Sequence, residues 1–240
     1  MQILLTLQPE NELIIPFNYN HQLQSALYAK LREGGGAHIH DEGYGEDRDF
    51  KAFVFGALQG EHRKEDKHFR FTGTVHLEVR SPVFELCDIL QRGIERNPVF
   101  KLFDTRLSVV GASLANVHFS GGREILITHS PVAVYRTEPD GKTTFFAPDQ
   151  PEFVPYLIAN YENKYRAIIG GEPEHVTIQP LEPQRRIVTR FKEKWITCYK
   201  GKYALTGSSK ALEFIYNSGL GVKNSAGFGM LVMRKSGQIS

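Results

Sequence analysis

Hydrophobic and polar positions along the chain fall into two periods. Ile3, Leu5 and Leu7 alternate with other residues, the period of two that marks a half-buried strand, and predict one over Gln2–Gln8. A polar, proline-containing connection follows through Pro16. Leu23, Leu27 and Leu31 then recur every fourth residue, which predicts a helix capped by Asn18 or Asn20, running through Arg32 and ended by Gly34–Gly36. Tyr28 lies one residue off that stripe. Strands are expected at Phe50–Leu58 and His68–Arg80. Val83, Leu86, Cys87, Leu90 and Ile94 mark a second amphipathic helix, stopped before Pro98, and a strand near Arg106–Phe119 closes this half.

After Gly121 and Gly122 a similar order begins again. Glu124–Tyr135 and Lys142–Phe146 read as strands. Val154, Leu157, Ile158, Tyr161 and Tyr165 mark a helix ending near Gly170 and Gly171. Further strands are expected at His175–Pro180 and within Arg186–Ala204, then a helix from Ser208 to about Ser218 and a last strand, Gly229–Arg234. No sequence repeat accompanies the repeated order. The fold class expected is α+β, two tandem ferredoxin-like domains of β-α-β-β-α-β (RRM-like) order, divided as residues 1–121 and 122–240.

Composition narrows the classes of protein. With 41% hydrophobic and 23% charged residues in 240, the chain has the make-up of a soluble globular protein. No apolar run approaches the roughly 18–20 residues of a membrane span, and the first residues lack a basic flank and a long apolar stretch. The expectation is a cytoplasmic protein with no membrane partner. Cys87 and Cys198 are far apart, which argues against a disulfide framework or a structural zinc site. The formal charge is only +2, but it is unevenly placed. From Arg185 onward eleven Lys and Arg face Glu193 and Glu213, so this quarter carries about +9 and residues 1–184 about −7. Between Arg185 and Tyr203, Arg185, Arg186, Arg190, Lys192 and Lys194 are interleaved with Phe191, Trp195 and Tyr199. Cations for phosphates and rings for unpaired bases suit single-stranded nucleic acid; the alternative is the solvated outer face of a strand.

A glycine-rich segment comes next. Gly219, Gly221, Gly227 and Gly229 fall within eleven residues between a helix and a strand, and Lys223, Asn224 and Ser225 add a charge and two polar side chains. Glycines let a backbone approach an anion closely. Dinucleotide-binding and P-loop readings fail, because those loops lead from a strand into a helix. A helix cap followed by a turn is the plainer alternative. The segment GLGVKNSAGFGM resembles the glycine-rich signature of the CRISPR repeat-RNA processing endoribonucleases of the RAMP superfamily. Tyr19-Asn20-His21, His40-Asp41-Glu42-Gly43-Tyr44, Phe50–Phe55 and Ser130–Val134 agree, so the resemblance spans essentially the whole chain. It implies two ferredoxin-like domains, an RNA-binding surface that includes the basic residues and loop positions just named, and cleavage of CRISPR repeat RNA with no metal or other cofactor.

Cleavage of that kind needs a group to take the 2′-OH proton, one to protonate the leaving 5′ oxygen, and cations on the phosphorane. A histidine, with an ordinary pKa near 6.5, can serve either transfer. Matched to the resemblance, the catalytic histidine falls on His40, with His38 in reserve. Tyr28 takes the place of a helix tyrosine facing it, and Lys51 that of a lysine entering the second strand, with Arg48 as its substitute. Other readings of the same residues are a half-buried aromatic at Tyr28 and an edge lysine at Lys51. Two rival functions stay open. One is a non-catalytic repeat-RNA-binding subunit of an effector complex. The other is a metal-assisted hydrolase using His38 and His40. Contacts with other CRISPR effector-complex subunits and a homodimer are left open by the sequence.

Overall fold

The computed structural model describes residues 1–37, 39, 43–45 and 50–233. The first half runs β1 (Gln2–Pro9), β2 (Leu13–Pro16), α1 (Asn20–Glu33), β3 (Val54–Phe55), β4 (His62–Glu65), β5 (His68–Phe71), β6 (Val75–Arg80), α2 (Phe84–Arg96), β7 (Val99–Leu102) and β8 (Thr105–Ala115). Its main sheet has the order β3-β6-β1-β8-β7 and its pairings are antiparallel. β1 is therefore central, flanked by β6 and β8, with α1 and α2 as the crossovers. That is the strand order a β-α-β-β-α-β unit produces. Ile3, Leu5 and Leu7 bury on one face of β1, against Leu23, Leu27 and Leu31 of α1 and Leu86, Leu90 and Ile94 of α2.

The second half repeats the connectivity. β9 (Gly122–Thr128) is followed by a small hairpin, β10 (Tyr135–Thr137) and β11 (Thr143–Phe145), then α3 (Phe153–Ile168), β12 (Val176–Phe191), β13 (Lys194–Gly207), α4 (Ser209–Ser218), a 3-10 turn at Asn224–Ala226 and β14 (Leu231–Met233). The sheet order is β12-β13-β9-β14, again with the first strand between the third and the last. A second core, from Phe119 to Leu231, lies between this sheet and its helices. No helix among the described residues is long and apolar enough to cross a membrane. The α+β class is as expected, with antiparallel sheets throughout.

Several expected boundaries are corrected. The strand expected over Phe50–Leu58 is only Val54–Phe55, and that over His68–Arg80 is two strands broken at Gly73, whose φ is +81°. The first of these, β5, leaves the main sheet to pair with β2 and β4 in a separate three-stranded sheet. β2 itself falls in the segment read as a connection. The proline-rich stretch after Pro180 does not interrupt β12; a bulge between Leu181 and Arg185 absorbs it, and β12 and β13 form one long hairpin. Neither Asn18 nor Asn20 caps α1. Tyr19 occupies the cap position without a side-chain bond, and the Asn20 amide reaches across to the other half.

Arg80 joins the halves. It is fully buried on β6, bonds Glu78 at 2.7 Å and donates to the Leu231 carbonyl at 2.5 Å and the Tyr216 carbonyl at 3.3 Å. Its guanidinium lies 3.7 Å from the centre of the Tyr216 ring. A buried guanidinium holding carbonyls of α4 and β14 from a strand of the other half fixes how the two sheets meet.

Candidate nucleic-acid interface

The glycine-rich segment lies where the halves meet, and its glycines face protein. Gly219, Gly221, Gly227 and Gly229 all have φ between +72° and +84° and are buried. A Cβ at Gly229 would sit 1.9 Å from the Leu220 carbonyl oxygen, and one at Gly227 would meet the Phe55 ring at 2.6 Å. The loop is thus folded back on itself and seated on the first half. Three bonds hold it against α1: Asn20 Nδ2 donates to the carbonyls of Ala226 at 3.1 Å and Gly227 at 3.3 Å, and Gln24 Nε2 donates to Ser225 at 2.8 Å. One turn further along α1 from Gln24, Tyr28 stands on the same side of the helix, toward Ser225.

Over this junction opens a cavity of about 530 Å³. α1 contributes Gln24 and the chain before β3 contributes Lys51. The glycine-rich segment gives Lys223, Asn224 and Ser225, the turn after β12 gives Lys192, and α3 gives Asn160 and Lys164. Lys51, Lys192 and Lys223 thus bring cations to one cavity from three separate segments, while the Lys164 ammonium is turned into the glycine-rich segment, and among the described residues no carboxylate lines the cavity. Like charges held together in a low-dielectric recess favour an anion. Burial pushes Lys223 below its ordinary pKa and Lys164 down to about 7. Tyr28 packs edge-on against Phe53, ring centres 5.5 Å apart, and burial raises its pKa, so the phenol is protonated at neutral pH. The Asn160 side-chain oxygen is buried with no hydrogen-bond partner among the described residues.

A second cavity of about 370 Å³ shares Tyr135, Thr137 and Lys223 with the first and extends it past Lys194 and Trp195. Lys223 Nζ stands 5.6 Å from the Tyr135 ring centre. Together the two form a groove lined by lysines and aromatic rings. The basic hairpin divides its charges between its two faces, as the register dictates. Arg186 lies opposite Tyr199 and Arg190 opposite Trp195 on one face, while Arg185 lies opposite Lys200 on the other. Arg190 is also paired with Glu193.

Of the residues singled out in the sequence, Tyr28, Lys51, Lys192, Lys223, Asn224 and Ser225 are brought to one place. Asn224 is only 6% exposed, and its amide bonds Lys164, Leu220 and Phe228. Lys194 belongs to the extension of the groove. His40, His38 and Arg48 lie outside the described residues. Sequence reasoning missed Gln24, Tyr135, Asn160 and Lys164. Lys164 had a signal: it continues the buried stripe Phe153, Leu157 and Tyr161 on α3, where a lysine is out of place.

Two β-α-β-β-α-β units meeting at a lysine-lined groove define an α+β protein with a candidate anion-binding face. Residues 114–233 match the family model for the C-terminal part of the CRISPR associated protein Cas6, and the chain belongs to that family. It is 26% identical to CRISPR-associated endoribonuclease Cas6 1 of Methanocaldococcus jannaschii, over 97% of this chain and 92% of that one. A solved CRISPR associated protein Cas6 superposes with a TM-score of 0.83 at 26% identity, covering 98% of this chain and 99% of that one. A solved RAMP protein binding different RNA substrates superposes with a TM-score of 0.84 over 98% of this chain and all of that one, at 21% identity, and shares the fold.

Proposed function

We propose that the protein is an endoribonuclease that cuts CRISPR repeat RNA in a precursor transcript, in the cytoplasm, to release guide RNAs. The observation that carries this reading is the cluster of Lys51, Lys192 and Lys223 around one cavity, beside a protonated phenol at Tyr28. Residues 1–121 form the domain that supplies Tyr28, His40 and Lys51. Residues 122–240 form the domain that holds RNA through Arg185, Arg186, Arg190, Lys192, Lys194 and the segment Gly219–Gly229.

The reaction is transesterification without a metal ion. The 2′-oxygen attacks the adjacent phosphorus, the P–O5′ bond breaks, and the products are a 2′,3′-cyclic phosphate and a 5′-OH. The 2′-OH proton passes to a base and a proton is delivered to the leaving 5′ oxygen; His40 is the group assigned to proton transfer. Lys51 offsets the charge that builds on the phosphorane, and the Tyr28 hydroxyl donates a hydrogen bond to the phosphate or to the imidazole. In a low-dielectric recess such donors contribute more than they would in water.

The test is incubation of the protein with its host's repeat RNA in excess chelator, with end-group analysis of the fragments. The expected result is a single cut leaving a cyclic phosphate, abolished by a 2′-deoxy substitution at the scissile nucleotide and by His40→Ala. Cutting of the deoxy substrate, or cutting that stops in chelator, overturns the mechanism. Tight binding with no cut by the wild type favours an RNA-binding subunit of an effector complex instead.

A further inference from the structure

The cleavage scheme gives no part to Lys164, yet α3 carries its ammonium into the interior, where it is 4% exposed. Nζ donates to the Gly219 carbonyl at 2.5 Å, the Asn224 Oδ1 at 3.0 Å and the Gly221 carbonyl at 3.4 Å. All three acceptors are uncharged and all belong to the glycine-rich segment. Among the described residues no carboxylate pairs with it. A buried cation without a counter-ion is unfavourable, and an apolar residue would pack as well beside Leu157 and Tyr161. What this position offers beyond packing is three donors converging on one loop.

Those donors fix the orientation of the Asn224 side chain. An ammonium can only donate, so the Asn224 carbonyl must face Lys164 and its NH2 must face away. That NH2 donates to Phe228 at 3.0 Å and Leu220 at 3.3 Å, closing the loop on itself. The next residue is Ser225, whose carbonyl accepts from Gln24 at 2.8 Å, one turn of α1 before Tyr28, which places Ser225 beside the phenol. We infer that Lys164 is a positioning residue for cleavage, clamping the glycine-rich segment so that Ser225 is held against Tyr28. This inference rests on the endoribonuclease reading.

The test is a double-mutant cycle in single-turnover cleavage at saturating repeat RNA, with affinity measured separately on 2′-deoxy RNA. Lys164→Met keeps the length of the side chain and removes its donors. It should slow cleavage roughly ten- to hundredfold, the scale of a small misplacement of a reacting group. Affinity should fall by less than the rate does, because the misplacement of Ser225 and Tyr28 acts on the transition state. In a Tyr28→Phe background the same substitution should cost less than about twofold, since no hydroxyl remains to be positioned. An unchanged rate, a loss that persists at full size with Tyr28→Phe, or an equal loss of affinity overturns the inference. Should Lys164→Met fail to fold, Lys164→Gln, too short to span the three acceptors, is judged by the same criteria. A wild type that does not cut overturns the endoribonuclease reading and this inference together. A wild type that cuts while the cycle is additive overturns this inference alone.

Discussion

Asn20, at the first turn of α1, donates its side-chain amide to the carbonyl of Ala226 at 3.1 Å, across more than two hundred residues of sequence. The same NH2 reaches the Gly227 carbonyl at 3.3 Å. A side chain suited to capping its own helix instead ties that helix to the glycine-rich segment of the other half. Asn20→Ala leaves both carbonyls short of a donor and should cost about 1–3 kcal/mol in denaturant unfolding. Asn20→Asp should be worse at neutral pH, because a carboxylate cannot donate and would face two carbonyl oxygens. Equal stability of the two variants would mean the bond contributes nothing beyond filling space.

The glycines of that segment differ sharply from glycines of similar φ elsewhere. Gly73, in the turn between β5 and β6, has φ +81° and nothing within 4 Å of a Cβ placed there, so Gly73→Ala should cost only the left-handed backbone term of about 1–2 kcal/mol. Gly229 has φ +77° and the Leu220 carbonyl 1.9 Å from the same point. Backbone cannot yield there as a flexible side-chain end can, so Gly229→Ala should exceed that term and reach roughly 4–5 kcal/mol or prevent folding. Urea midpoints of the two variants decide it; similar midpoints would show that the loop gives way.

How much of the fold was legible in the sequence depends on what each element buries. β1 was readable because Ile3, Leu5 and Leu7 are buried in strict alternation. β4 was not, because His62, Arg63, Lys64 and Glu65 are all exposed and present no period at all. β12 was read short because Pro180 and Pro183 mark breaks locally, whereas a bulge paired with β13 carries the strand past them. At the candidate site, a spacing rule sees cations and rings along one strand, and so it found Lys192 and Lys194. It cannot see that Lys164 on α3 and Gln24 on α1 converge on a loop far from both in sequence. Tyr28 and Lys51 were singled out through the family resemblance, since each has an ordinary structural reading on its own. Only tertiary contact brings α1, through Gln24, against Ser225.

The burial of Lys164 has a consequence for stability against pH. Its pKa falls from 10.5 to about 7 on folding, and desolvation is the cause. Between those values the unfolded chain binds more protons than the folded one, so this group's contribution to stability is least favourable below about 7 and improves as pH rises toward 10.5. Cys87 and Cys198 work in the opposite direction at high pH: burial pushes their pKa values up from 9.0 to about 11 and about 12. The difference between wild type and Lys164→Met isolates the lysine. We expect the gap in melting temperature to be level below about pH 7 and to grow in favour of the wild type from pH 7 to 8.5. A gap that does not change with pH would show that the ammonium does not titrate in that range.

Phosphate and base contacts in the groove should separate by their response to salt. Lys192 lines the lysine-rich cavity, and each phosphate it neutralises releases counterion, so Lys192→Ala should weaken RNA binding and reduce the slope of log K against log salt by about 0.7, the single-strand value per charge. Trp195 lines the extension of the groove, is 66% exposed and lies opposite Arg190, a placement suited to a base stacking on the ring. Trp195→Ala should cost about 1–3 kcal/mol of affinity for single-stranded repeat RNA while leaving the salt slope as it was. Binding titrations at several salt concentrations distinguish the two. If Trp195→Ala changes the slope and not the affinity at fixed salt, the ring serves the hairpin's own structure, and the nucleotides run along the arginine side instead.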